Sequence, residues 1–268
     1  MNFVMKKILI SSVFAYVFAA CTEISPVVPA LGDRKVLVEE FTGVRCVNCP
    51  AGASELENLK SIYGERLVVV SIHAGDFSPP YSDSRFDFRT PEGDALEKRL
   101  GAPLGYPTAV INRKQFSGQT GLQVGRSTWA GLIAAETKAA SAVSFSFEKT
   151  YNPTTRQFQI TVKAVENAPN ALKNAAFSAM IAEDNIVDAQ ETPSGKKSDY
   201  KHRHVFRAFA ANDTAINPSG LAQVTYSFSG TLKPNWLVEN CSIVLILSQK
   251  NGVTQEILQV SEVKVMVL

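Results

Sequence analysis

Three consecutive segments constrain this chain more than any others: "KVLVEEF" (35–41), "CPAGASELENLKSIYG" (49–64) and "RLVVVSIHA" (66–74). The first reads as a strand. The third is a nearly continuous β-branched run, the pattern of a strand buried on both faces. Between them, Leu56, Leu59, Ile62 and Tyr63 fall on one helical face, with Gly64 as the expected stop. Strand, helix and strand in this compass predict a βαβ unit, two parallel strands joined by a right-handed crossover.

A segment rich in turn formers follows, "GDFSPPYSDSRFDFRTPEGD" (75–94), which also holds Phe77, Tyr81, Phe86 and Phe88. Its place after the second strand puts it on the rim that carries the carboxyl ends of the parallel strands. Either it covers a substrate site or its aromatics simply pack on the domain. Then come a short helix (95–101), a strand, a turn and a second strand within 104–121, and a helix over 125–140 with Trp129, Leu132, Ile133 and Ala135 as apolar positions. From Ser141 the pattern alternates with period two: a hairpin around 151–156, then "NAAFSAMIAE", "LAQVTYSFSGTL", "CSIVLILSQ" and "QEILQVSEVKVMVL". No helix is expected after 140. The expected fold class is α/β plus all-β, the second domain (141–268) being a β-sandwich of immunoglobulin type.

The N-terminus reads as an export signal over residues 1–20. Lys6 and Lys7 precede a 13-residue apolar run (8–20), too short to span a bilayer. Phe18 at −3 suits a lipobox better than an ordinary cleavage site, and Cys21 stands where a lipobox requires cysteine. This resembles bacterial lipoprotein signals and implies lipidation at Cys21, with a plain secretory peptide as the alternative. Residues 21–33, with Pro26, Pro29 and Gly32, then form a tether. Without Lys6 and Lys7 the chain carries 25 basic and 25 acidic side chains, which gives no reason to expect nucleic-acid binding. Membrane attachment is expected through the lipid alone.

Export exposes the remaining thiols to oxidising conditions. Cys46 and Cys49, in "EEFTGVRCVNCPAG" (39–52), are a structural staple, half of a metal site, or a redox pair. Zinc is disfavoured, because no second C-x-x-C or close His/Cys set completes four ligands, and no cofactor is expected. His202 and His204 in "DYKHRHVFRAF" (199–209) would share one strand face, read as polar surface rather than a metal site. Cys241 reads as a buried small hydrophobe.

Glu40, six positions before Cys46, and Pro107 in "GYPT" make residues 34–140 resemble the thioredoxin superfamily. That resemblance implies Cys46 as the attacking cysteine, Cys49 as the resolving one, Glu40 as the buried proton acceptor and Pro107 as a cis-proline facing the sulfurs. Tyr106 precedes that proline. Cys46 would lie in the first turn of the helix, where free N–H groups favour a thiolate, with Arg45 adding positive charge. Tyr106, Arg45 and His73 are the expected substrate-side residues. Arg45 stands where thioredoxins carry Trp, and "VN" fills the motif.

The lipobox, "EEFTGVRCVNCPAG", "VVVSIHAGDF", "GYPTAVINR" and "HRHVFRAF" together resemble the twenty-eight-kilodalton outer-membrane protein (Omp) family of Bacteroidetes lipoproteins. The resemblance implies a lipid-anchored outer-membrane protein joining a thioredoxin-like domain to a β-sandwich. The expected function is either thiol–disulfide exchange on envelope proteins or, as the alternative, a cell-surface binding module (adhesin or receptor) in which the cysteine pair is structural.

Overall fold

The computed structural model describes residues 34–216, 222–251 and 254–266. Cys21 and the signal segment lie outside them. The predicted βαβ unit forms: β1 (Val36–Thr42), α1 (Cys49–Tyr63) and β2 (Leu67–His73), with β1 and β2 parallel and in register from Val36↔Leu67 to Thr42↔His73. Both strands are buried along their whole length, with Glu39, Glu40, Ser71 and His73 among the buried residues.

Helix α2 (Pro91–Leu100) starts earlier than expected, because Thr90 caps it: its hydroxyl accepts the Gly93 N–H at 2.9 Å. Strand β3 (Thr108–Ile111) runs antiparallel to β1. Its partner β4 (Gln123–Gly125) lies beyond the expected 104–121 window. Asn112 and Arg113 both take positive φ and turn the chain at the end of β3, so the connection is longer than a tight hairpin. Helix α3 (Trp129–Thr137) packs Trp129 and Ile133 against Leu56, Leu59, Val36 and Val38. Odd and even positions of β1 thus part company. Val36, Val38 and Glu40 face α1 and α3, while Leu37 and Phe41 face the α2 side with Leu96 and Leu100.

Strands follow: β5 (Val143–Asn152), β6 (Gln157–Glu166), β7 (Ala175–Glu183), β8 (Ile186–Thr192), β9 (Gly195–His202), β10 (Val205–Ala215), β11 (Gln223–Thr231), β12 (Cys241–Asn251) and β13 (Thr254–Lys264). The α/β-plus-β class holds. Backbone pairing crosses the expected boundary near residue 141. The Ser71 N–H donates to the His204 carbonyl at 2.8 Å, and β10 adds to β2 in parallel. One eight-stranded sheet, β13-β12-β7-β10-β2-β1-β3-β4, therefore crosses residue 141. A three-stranded sheet, β11-β6-β5, covers one face of its distal half.

Both faces of that distal half are buried. Phe177, Ala179, Ile181, Ile243, Leu245 and Leu247 pack under β5 and β6, while Met180, Val244, Ile246 and Val260 turn to Leu37, Phe41 and Val70. The unbroken run in "CSIVLILSQ" is the sequence counterpart of burial on both faces. On the α2 side Glu39 forms a buried bidentate pair with Arg113, at 2.7 and 2.9 Å.

Candidate functional site

The turn between β1 and α1 carries Cys46 and Cys49, joined as a disulfide. Cys49, not Cys46, opens the helix. Its N–H bonds back to the Cys46 carbonyl at 3.3 Å, and Cys46 lies in the preceding turn, closed by its own N–H to the Gly43 carbonyl at 3.1 Å. The helix N-terminus therefore acts on residue 49 more directly than the sequence suggested. Neither residue is open: Cys46 is 3 % exposed and Cys49 2 %.

The covering element is one the sequence reading missed. The hairpin β8–β9 is antiparallel and lies over the turn. The side-chain amide of Gln190 on β8 donates to the carbonyls of Cys46 (3.0 Å) and Gly43 (3.2 Å), and the Glu191 N–H donates to the Val44 carbonyl at 2.7 Å. The alternating "IVDAQET" and the "PSGK" turn are a hairpin signal in hindsight. Nothing in sequence pointed to the Gln190 contact.

The 75–94 segment packs on this hairpin rather than opening as a lid. Phe88, with Tyr81 and Phe86, joins Val44, Ile186 and Val205 in a small core. Tyr81 donates to Glu191 at 2.5 Å, Lys196 pairs with Asp83 at 2.6 Å, and the Phe86 N–H donates to Asp188 at 2.8 Å. Arg45 joins the same assembly. Its guanidinium donates to the carbonyls of Pro79 (2.8 Å) and Pro80 (2.7 Å) and lies over the Tyr81 ring. These contacts tie the Arg45 charge to the segment.

Glu40 and Pro107 meet the helix one turn past Cys49. The Tyr106–Pro107 bond is cis. A Cβ at Gly52 would stand 2.7 Å from Pro107 Cγ and 3.1 Å from Glu40 Oε1, so only glycine permits this approach. Glu40 is 1 % exposed. Its Oε2 accepts from Ser71, its register partner on β2, at 2.8 Å, and its Oε1 has no partner among the described residues. Burial raises its pKa to about 7, against the smaller lowering effect of Ser71.

Tyr106 points away from that contact. Its hydroxyl donates to Glu97 and its ring meets Phe77, and burial with the Glu97 bond raises its pKa. His73 is buried between Phe88 and His202. Desolvation, then His202 and Arg207, hold it well below the usual histidine range, so it stays neutral.

A cavity of about 420 Å³ lies between α1 and β9. Glu40, Ser71, His73 and Cys49 are among the residues that line it, and Lys197, Lys201 and Arg203 come from its β9 side. His202 and His204 do not share a strand face as expected: His202 ends β9, and His204 takes positive φ before β10. His202 is lowered to about 4 by burial. His204 sits between Glu57 (2.9 Å) and Asp184 (3.2 Å). Asp184, His204 and Glu262 bring possible ligand atoms within 4.8 Å of one another. Lys264 (3.0 Å to Asp184) and Lys60 (2.9 Å to Glu262) already compensate their charge, which makes the group an ion-pair network. Cys241 is fully buried and its pKa is pushed up to about 12 by desolvation, which leaves it an unreactive thiol. No described helix is long and apolar enough to cross a membrane.

Fold and site together define an α/β-plus-β protein with a buried disulfide at a strand-to-helix turn. Residues 94–267 match the family described as Outer membrane protein Omp28, and the chain belongs to that family. Membership places it in the cell envelope at the outer membrane. The matched region starts after the cysteine pair but includes the hairpin that covers it. No curated protein matches the chain. Among solved structures, HBP35 of Porphyromonas gingivalis is similar over 87 % of this chain and 75 % of its own, with TM-score 0.69 and 18 % identity. Protein AGR_C_4864 from Agrobacterium tumefaciens is similar over 87 % and 95 %, with TM-score 0.54 and 15 % identity. At these identities the likeness is one of fold.

Proposed function

We propose that this chain is a lipid-anchored envelope protein, attached through Cys21, whose residues 34–140 form a thioredoxin-like unit performing thiol–disulfide exchange at Cys46–Cys49. The observation that carries this is Glu40: a buried carboxyl with a free oxygen, set with Pro107 against the helix that Cys49 begins. A carboxyl with a pKa of about 7 can take and return a thiol proton near neutrality. Cys49 occupies the first helical position, where unpaired N–H groups favour its thiolate. Val47 and Phe77, both exposed, add apolar surface beside the turn for an envelope protein substrate. Reduction of a small disulfide substrate by the reduced protein tests this, with loss of turnover expected in Cys46→Ser and Cys49→Ser.

A second reading, a surface binding module braced by the disulfide, is favoured by the near-complete burial of both cysteines. It requires that the same two variants keep partner binding while the wild type fails to exchange. Lipid anchoring is tested separately: Cys21→Ser should move the protein out of the membrane fraction, and unchanged fractionation would refute it.

A further inference from the structure

The disulfide has two sides, and they differ. From the rim, Cys46 is covered by Gln190 and the hairpin. From the opposite direction, the cavity between α1 and β9 is lined by Cys49 and Glu40 but not by Cys46. The buried atoms of lining residues that have no hydrogen-bond partner among the described residues include Glu40 Oε1 and His202 Nε2. Each is an unmet hydrogen-bonding group that a ligand or water must satisfy. The volume suits a small molecule and is far too small for a folded protein.

Charge narrows the choice. Lys197, Lys201 and Arg203 line the β9 side. Arg203 pairs with Glu57 across the cavity. Lys197 keeps a mostly exposed side chain with Asp199 at 3.9 Å, and Lys201 is exposed. The two lysines leave the entrance positive, which concentrates anions. Burial keeps the two histidines at the floor, His73 and His202, neutral.

We propose that this cavity admits an anionic low-molecular-weight thiol, which reduces the Cys46–Cys49 disulfide by attack at Cys49. The inference rests on the exchange function above and names its reductant class. In the first step the thiol's sulfur bonds to Cys49 Sγ, the Cys46–Cys49 bond breaks, and its electron pair leaves on Cys46. Glu40 receives the incoming thiol's proton, and the Cys46 thiolate is protonated from water. In the second step another thiol attacks the small molecule's sulfur in the mixed disulfide and releases a symmetrical disulfide. The Cys49 thiolate leaves and takes back the proton held by Glu40, while the second thiol's proton returns to water. Two thiols are oxidised and one protein disulfide is reduced.

The experiment uses the oxidised, folded protein. Its reduction by mercaptosuccinate, 2-mercaptoethanol and cysteamine is followed by acid quench and alkylation, with rates normalised to thiolate concentration and intrinsic nucleophilicity. Mercaptosuccinate should react faster than cysteamine by about tenfold or more. The Lys197→Glu/Lys201→Glu variant, altered at exposed positions, should lose or invert that preference while its thermal midpoint stays unchanged. Fragmentation of the tryptic peptide spanning residues 46–60 should place the trapped adduct on Cys49. Equal rates for the three thiols, or an adduct on Cys46, would overturn the inference and leave exchange standing. A disulfide that none of them reduces until the protein is denatured would refute exchange itself.

Discussion

The side-chain amide of Gln190 donates to the main-chain carbonyl of Cys46 at 3.0 Å, across 144 residues of sequence. A strand from the β-rich half thereby closes the turn that holds the disulfide. Replacement by Leu roughly keeps the volume but removes one of the two hydrogen bonds that the carbonyls of Cys46 and Gly43 each accept. Gln190→Leu should lower stability by about 1–3 kcal/mol and speed alkylation of reduced Cys46. Urea midpoints and iodoacetamide kinetics check both effects.

Gly52 is the point of closest approach between α1, Pro107 and Glu40. A methyl group there meets a rigid proline ring at 2.7 Å, and the helix must move away. Gly52→Ala should destabilise by about 1–3 kcal/mol despite its better helix propensity. Thermal denaturation measures it. A gain in stability would show that the helix does not sit this close.

Glu40 links stability to pH. Its pKa is about 7 when folded and 4.5 ordinarily, so the native state holds the proton more tightly. Its favourable effect is complete below about pH 4.5 and is lost as pH rises through 7, on the order of 3 kcal/mol in all. Glu40→Gln carries no such proton. The stability difference between wild type and this variant should therefore shift in the variant's favour from pH 5 to pH 8. Chemical denaturation at a series of pH values reads the slope, and parallel curves would contradict the assignment.

Glu39 and Arg113 form an ion pair at 2.7 Å with each residue at most 1 % exposed. Removing one partner leaves a buried charge, so Arg113→Met should cost about 3–5 kcal/mol. Adding Glu39→Leu should recover much of that loss, a non-additivity that a double-mutant cycle measures.

Periodicity revealed the local elements well. Leu56, Leu59 and the β-branched run before His73 fixed the βαβ unit, because side-chain period reports burial directly. Glu40, Cys46, Cys49 and Pro107 were singled out through the resemblance to thioredoxins; Glu40 and Pro107 lie against Gly52, the two cysteines are bonded, and Arg45 is turned to Pro79 and Pro80. Long-range pairing was not legible. Nothing local to Val205 announces that it adds to β2, and "GKKSDYKH" is a polar edge strand with no apolar stripe to mark it. The lining of the cavity comes from segments up to 164 residues apart, Glu40 and His204, which no local pattern connects.

The reduction potential of the Cys46–Cys49 pair, taken on the folded protein against defined thiol–disulfide buffers, tests exchange most directly. A working exchange centre should stand above about −300 mV, within reach of small-thiol reductants. A value well below that would mark the bond as a structural brace and contradict the account.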